Sequence, residues 1–70
     1  MGLVRLRIRD FADEKGWTLK EVATRAGVPY TTVTTYARSA GMATVDVTAL
    51  QKLARTFEVM MEDLIETVED

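Results

Sequence analysis

The chain has 70 residues, 47 % of them hydrophobic and 29 % charged, which suits one small domain with a core and argues against intrinsic disorder. It has no cysteine and no histidine, so disulfides, thiolate catalysis, zinc ribbons and the usual general base and metal ligand are excluded. The net charge of −2 is uneven: residues 1–40 hold seven Lys/Arg against four Asp/Glu, and residues 41–70 hold two against seven. A basic half beside an acidic one allows a polyanionic partner on one face, while the overall acidity argues against strong indiscriminate binding to nucleic acid.

No apolar run approaches the roughly 20 residues of a membrane span. The opening MGLVRLRIRD alternates Arg with apolar residues and lacks the apolar core and cleavage site of a secretory signal. The expected location is the cytoplasm, with no membrane partner. No repeat or linker divides the chain, so residues 1–70 are read as a single domain.

In chain order, Val4, Ile8, Phe11 and Ala12 follow i, i+4, i+7, i+8 spacing, which predicts a helix over Val4–Lys15. On that helix Arg5 and Arg9 form a like-charge i, i+4 pair. Arg5, Arg7 and Arg9 are either a solvated face or phosphate contacts. Gly16 is placed to end the helix. Thr18 followed by Glu21 is a capping box, with Trp17 before it able to staple onto Val22. This predicts a helix from about Leu19 to Ala26, ended by Gly27. At two turns it must pack on neighbours to be stable.

Val28-Pro29 marks a turn, and Pro29 suits the first position of a following helix. The segment Tyr30-Thr31-Thr32-Val33-Thr34-Thr35-Tyr36 is ambiguous. Its β-branched and aromatic content favours a strand, while the spacing of Thr32, Val33 and Tyr36 fits a helix. Residues 39–45 form a loop. Asp46 is a good N-cap for a helix from Val47 to about Phe57, with Leu50, Leu53, Ala54 and Phe57 on one face. Met61, Leu64, Ile65 and Val68 predict a last helix from about Met61 to Val68. Its apolar side either docks on the domain or, with Met60, meets a second copy. The acidic residues Glu58, Glu62, Asp63, Glu66, Glu69 and Asp70 are expected on the solvated side, away from any DNA.

Thr18 to Tyr36 carries the functional information. A short capped helix, a glycine turn and a second short segment form a helix-turn-helix layout over about residues 18–37. Ala23 is small where two helices approach. Gly27, four residues on, allows a left-handed turn. Val33 points back to the core, with Val22 and Val28 at the remaining inward positions.

The chain here resembles the lambda-repressor-like (Cro/XRE-type) helix-turn-helix family. The resemblance rests on Lys15-Gly16-Trp17-Thr18, Glu21-Val22-Ala23, Arg25-Ala26-Gly27-Val28 and Thr32-Val33, then on Leu50, Lys52-Leu53-Ala54, Val59 and Asp63-Leu64. It covers about Val4 to Ile65. It implies an all-α, compact five-helix DNA-binding domain, and so a helix over 30–37. It further implies a transcriptional regulator that places this third helix in the major groove of double-stranded DNA. Carried onto this chain, Tyr30, Thr31, Thr34 and Thr35 face the groove, while Thr18, Lys20 and Arg38 contact phosphates. No catalytic residue, cofactor or metal is implied. A palindromic operator would require a homodimer formed through the domain itself.

The chain departs from the family at several positions. Leu19 stands where Gln is frequent, Pro29 where Ser or a similar cap is usual, and Thr dominates the recognition segment. The loop 39–45 is about two residues longer than typical, and Glu58 and Met60 replace the usual Gly and Ser. The alternative function is a protein-interaction module derived from the helix-turn-helix, with weak or no DNA binding, in which Leu19 and Tyr30 meet a protein partner. A regulator binding both DNA and a partner protein is a third reading. With no acid/base pair beside a pocket, an enzyme is not expected.

Overall fold

The computed structural model describes residues 3–38 and 45–68. The elements run β1 (Leu3–Leu6), α1 (Ile8–Lys15), α2 (Leu19–Ala26), α3 (Tyr30–Arg38), α4 (Val47–Phe57), α5 (Met61–Leu64) and β2 (Ile65–Val68). Among the described residues there are five helices, as the resemblance implied, with a small two-stranded sheet added. The loop expected at 39–45 lies, apart from Val45, outside the described residues.

The two ends of the chain correct the sequence reading. The first helix begins at Ile8, not Val4, and residues 3–6 form a strand. The last helix stops at Leu64, and Ile65–Val68 is the partner strand. The strands pair antiparallel, with Leu3 opposite Val68 and Leu6 opposite Ile65. The physical reason lies in Leu6 and Ile8, both essentially inaccessible to solvent. Two residues apart on one helix, they would point to different sides. A break at Arg7 lets both face inward. Arg5 and Arg9 are therefore not helix neighbours. Instead, Arg5 sits opposite Glu66 and its guanidinium meets that carboxylate at 2.9 Å.

Helix ends follow local chemistry. Gly16 and Gly27 take left-handed conformations, with φ of 73° and 69°, and close α1 and α2. The Thr18–Glu21 capping box is complete: Thr18 Oγ1 accepts the Glu21 N–H, and the Thr18 N–H donates to Glu21. Asp46 caps α4 by accepting from the Thr48 N–H at 3.0 Å. Pro29 stands one position earlier than predicted, just before α3, where its carbonyl accepts the Val33 N–H.

The core draws on every helix and β1: Leu6, Ile8, Val22, Val33, Leu53, Phe57 and Leu64 are its largest or most enclosed members. Phe57 is its aromatic centre, with the Phe11 ring at 5.7 Å and the Trp17 ring stacked at 5.9 Å. Trp17 is half-buried against the core, and Phe57, from α4, is an aromatic partner that the local staple pattern did not foresee. Met61 and Ile65 also pack on the core, and Leu64 is fully buried, so the apolar side of the last segment docks on its own chain. Met60 remains exposed. Among the described residues no polar or charged side chain is buried. None of their helices is long and apolar enough to cross a membrane.

Candidate nucleic-acid interface

α2 and α3 meet at a tight turn. The Gly27 and Val28 N–H groups both donate to the Ala23 carbonyl, at 3.0 and 3.1 Å. Ala23, Val22, Val28 and Val33 are buried, as their spacing predicted. A Cβ at Gly27 would meet nothing within 4 Å, so glycine is required there by backbone conformation rather than by space.

α3 resolves the segment that propensity left open. Val33 is fully enclosed, and Tyr36 and Ala37 pack on the core beside it. These three fix the inward side. Helical geometry then turns Thr31, Thr35 and Arg38 outward, and all three are exposed. Thr34 is half-buried at the margin, and Tyr30 is 53 % exposed at the helix start. A shallow depression of about 190 Å³ is lined by Thr31, Thr32, Thr35 and Tyr36. α3 has no acidic residue in its first turn and Arg38 in its last.

The hydroxyl groups are not equivalent. Thr34 Oγ1 donates to the Thr31 carbonyl at 3.0 Å, so its proton is committed to its own helix. Thr18 Oγ1 accepts the Glu21 N–H at 3.1 Å, so its first task is capping. Lys20 is exposed on the first turn of α2. It shares a cleft of about 350 Å³ with Thr18, Glu21, Thr24 and Arg25. The predicted residues thus form two groups: Tyr30, Thr31, Thr34, Thr35 and Arg38 along α3, and Thr18 with Lys20 at the start of α2. Leu19, the residue that suggested a protein-binding surface, is half-buried and packs against the core.

An arrangement of a capped α2, a left-handed glycine and an α3 with an exposed polar face is what a helix-turn-helix requires. A model of the Cro/C1-type helix-turn-helix DNA-binding domain matches residues 7–70. The chain belongs to this family. Among solved structures, this Cro/C1-type domain is similar to the N-terminal DNA-binding domain of SinR from Bacillus subtilis. The identity is 27 %, the TM-score 0.72, and 80 % of each chain is covered. It is also similar to SinR, a master regulator for biofilm formation, in a crystal structure with DNA. There the identity is 27 %, the TM-score 0.71, and the match covers 80 % of this chain and 87 % of that one. A search of the curated proteins gave no match.

Sequence reasoning missed two features beside α3. Tyr36 ties the helix to α4, its phenol oxygen accepting the Asp46 N–H at 3.0 Å. Lys52 lines a cleft of about 170 Å³ with Pro29, Thr32, Asp46 and Thr48, next to the turn. For Lys52 a signal existed, since it lies four residues after Thr48 and six after the Asp46 cap. For Tyr36 none did, because its partner is ten residues away in the chain. The arginines near the N-terminus are largely engaged locally. Arg5 pairs with Glu66, while Arg7 lies 3.5 Å from Asp10 and over the Phe11 ring.

Proposed function

We propose that this Cro/C1-type domain is a sequence-specific DNA-binding transcriptional regulator that lays α3 in the major groove of double-stranded DNA. Tyr30, Thr31, Thr34 and Thr35 meet base edges there. Lys20 and Arg38 contact phosphates, and Thr18 supports them by holding the N-terminus of α2 open to a phosphate oxygen. The observation that carries this reading is the exposed side of α3, where Thr31, Thr35 and Arg38 project together without an acidic neighbour on the helix. Likeness to SinR, which has been crystallised with DNA, supports it. The chain acts in the cytoplasm as one domain, needs no cofactor, and reads a palindromic operator as a homodimer with half-sites about one helical turn, roughly 34–36 Å, apart.

Selection from a pool of randomised duplexes at about physiological salt tests this reading. A palindromic consensus is expected. Thr35→Glu is expected to weaken binding to the selected duplex by about tenfold or more, since it adds a negative charge facing the DNA. Thr34→Ala should weaken it less, and neither change should unfold the chain. Unchanged affinity in both variants would remove α3 as the reading surface.

The protein-interaction reading predicts DNA affinity that stays weak at any salt. A steep fall of affinity with rising salt separates the two, because it reports phosphates neutralised by Lys and Arg. The packing of Leu19 against the core leaves that reading with Tyr30 as its main exposed apolar anchor.

A further inference from the structure

We propose that Thr31 and Thr35 select their DNA by the C5 methyl groups of thymine, so that the operator is defined by thymines in the major groove. This rests on the reading of α3 as the recognition helix, and narrows it to one class of DNA and one kind of contact.

Residues 30–37 contain no Arg, Lys, Asn, Gln, Asp or Glu. The paired contacts that distinguish guanine through O6 and N7, or adenine through N6 and N7, have no side chain to make them. A threonine offers a hydroxyl and a methyl. Of the threonines on α3, Thr34 already gives its proton to the Thr31 carbonyl, so it can only accept from a base. Thr31 and Thr35 lie one helical turn apart, are both exposed, and border the same shallow depression with Thr32 and Tyr36. That depression is lined by threonines and a tyrosine, with no charged residue among the described ones. A small apolar group fits such a surface. Thymine presents one in the major groove, its C5 methyl, and no other unmodified base does. A single hydroxyl discriminates bases poorly, because it can donate or accept. The methyl therefore carries the information, and the hydroxyl adapts.

The test uses the full chain and a duplex retained from the randomised pool. Each thymine is replaced in turn by deoxyuridine, which removes only the methyl. Thr35→Ser and Thr31→Ser remove the protein methyl and keep the hydroxyl, whereas Thr35→Val and Thr31→Val keep the methyl and remove the hydroxyl. All four variants are changes at the exposed positions Thr31 and Thr35, and circular dichroism with thermal melting confirms that each variant is folded. At least one deoxyuridine in each half-site should weaken binding by about fourfold, the size expected for one buried methyl. The Ser variants should lose a similar factor and become insensitive to that deoxyuridine. The Val variants should lose less affinity than the Ser variants and retain the sensitivity. 5-Methylcytosine at the same position should recover part of the lost affinity.

Unchanged binding to every deoxyuridine duplex would overturn the proposal, as would losses in the Val variants with none in the Ser variants. Either outcome leaves α3 as the recognition helix, read through hydroxyls or through groove shape. Failure to retain any duplex would overturn both the methyl contact and the DNA-binding reading beneath it.

Discussion

At the start of α2 stands Thr18, whose hydroxyl accepts the Glu21 N–H while Glu21 reaches back to the Thr18 N–H. At the start of α5 stands Met60. Asp63 reaches back to the Met60 N–H at 3.3 Å, but a thioether is at best a weak acceptor for the other half of the box. The helix ends differ in the same way. α2 closes on Gly27 at φ 69°, whereas α4 closes on Glu58 at φ 60°, a conformation that L residues enter at a cost. Both ends of α2 thus obey local rules, and the α4–α5 corner breaks two of them. Local chemistry sets the limits of α2. The α4–α5 corner is held from a distance, by the burial of Phe57 and Leu64.

Phe57 is where that difference is most easily broken. Its ring touches Phe11 from α1 and Trp17 before α2, so it joins the corner to both. Phe57→Ala should cost about 3–5 kcal/mol, against a total of roughly 4–10 kcal/mol for a chain of this length. Urea melts at 25 °C should show the midpoint lowered by about a third or more. A loss under about 1 kcal/mol would mean that the corner does not depend on this ring.

Gly27 and Glu58, both left-handed, sharpen the comparison with opposite signs. Gly27→Ala meets no steric obstacle within 4 Å, so only backbone strain acts, about 1–2 kcal/mol of destabilisation. Glu58→Gly releases the same kind of strain and should stabilise by about 1 kcal/mol, or roughly 4–8 °C in melting temperature. The Glu58 contact with Lys15, at 4.0 Å and mostly exposed, is too weak to offset that gain. Calorimetry on both variants decides the matter: a destabilised Glu58→Gly would show that Glu58 makes a contact worth more than its strain.

The capping exchange is smaller. Thr18→Ala should lose about 1 kcal/mol. Met60→Ser should gain a few tenths to 1 kcal/mol by completing the half-made box. Equal and opposite shifts would confirm that the corner departs from the rules at a cost. No gain from Met60→Ser would place the Met60 side chain in a contact of its own.

These same positions explain what could be read in the sequence. α2 and α4 were legible nearly to the residue because their signals are local: a capping box, an N-cap aspartate, glycine stops and helical spacing. The buried positions Ala23 and Val33 and the left-handed Gly27 were legible from the turn's steric demands. The strands were not. Leu6 and Ile8 alternate with Arg5, Arg7 and Arg9 as a strand would, and Ile65, Thr67 and Val68 are β-branched. Yet Val4, Ile8 and Phe11 also fit a helix, and Met61, Leu64, Ile65 and Val68 do too. Only pairing between the two ends of the chain decides, and that pairing has no local signature. For α3, propensity pointed to a strand, and enclosure of Val33 against the other helices outweighs it. Of the site, the residue types on α3 and the capping role of Thr18 could be read, but not the commitment of the Thr34 hydroxyl to its own helix.

The sheet that joins the ends carries the smallest expected effect. Arg5 and Glu66 are directly opposite and 61 positions apart in the chain. Both side chains are nearly half exposed, so a double-mutant cycle of Arg5→Ala and Glu66→Ala should return a coupling of only about 0.2–1 kcal/mol, falling as salt is raised. Two four-residue strands are too few to be stable alone, so something other than the ion pair must close them. Leu6, with 2 % of its surface exposed, is the residue placed to do so, because burying it requires the break at Arg7 that frees β1 to pair. A coupling within the expected range leaves closure to Leu6. A coupling well above 1 kcal/mol would mean that charge, not burial, selects the strand over the longer helix that the apolar spacing alone permits.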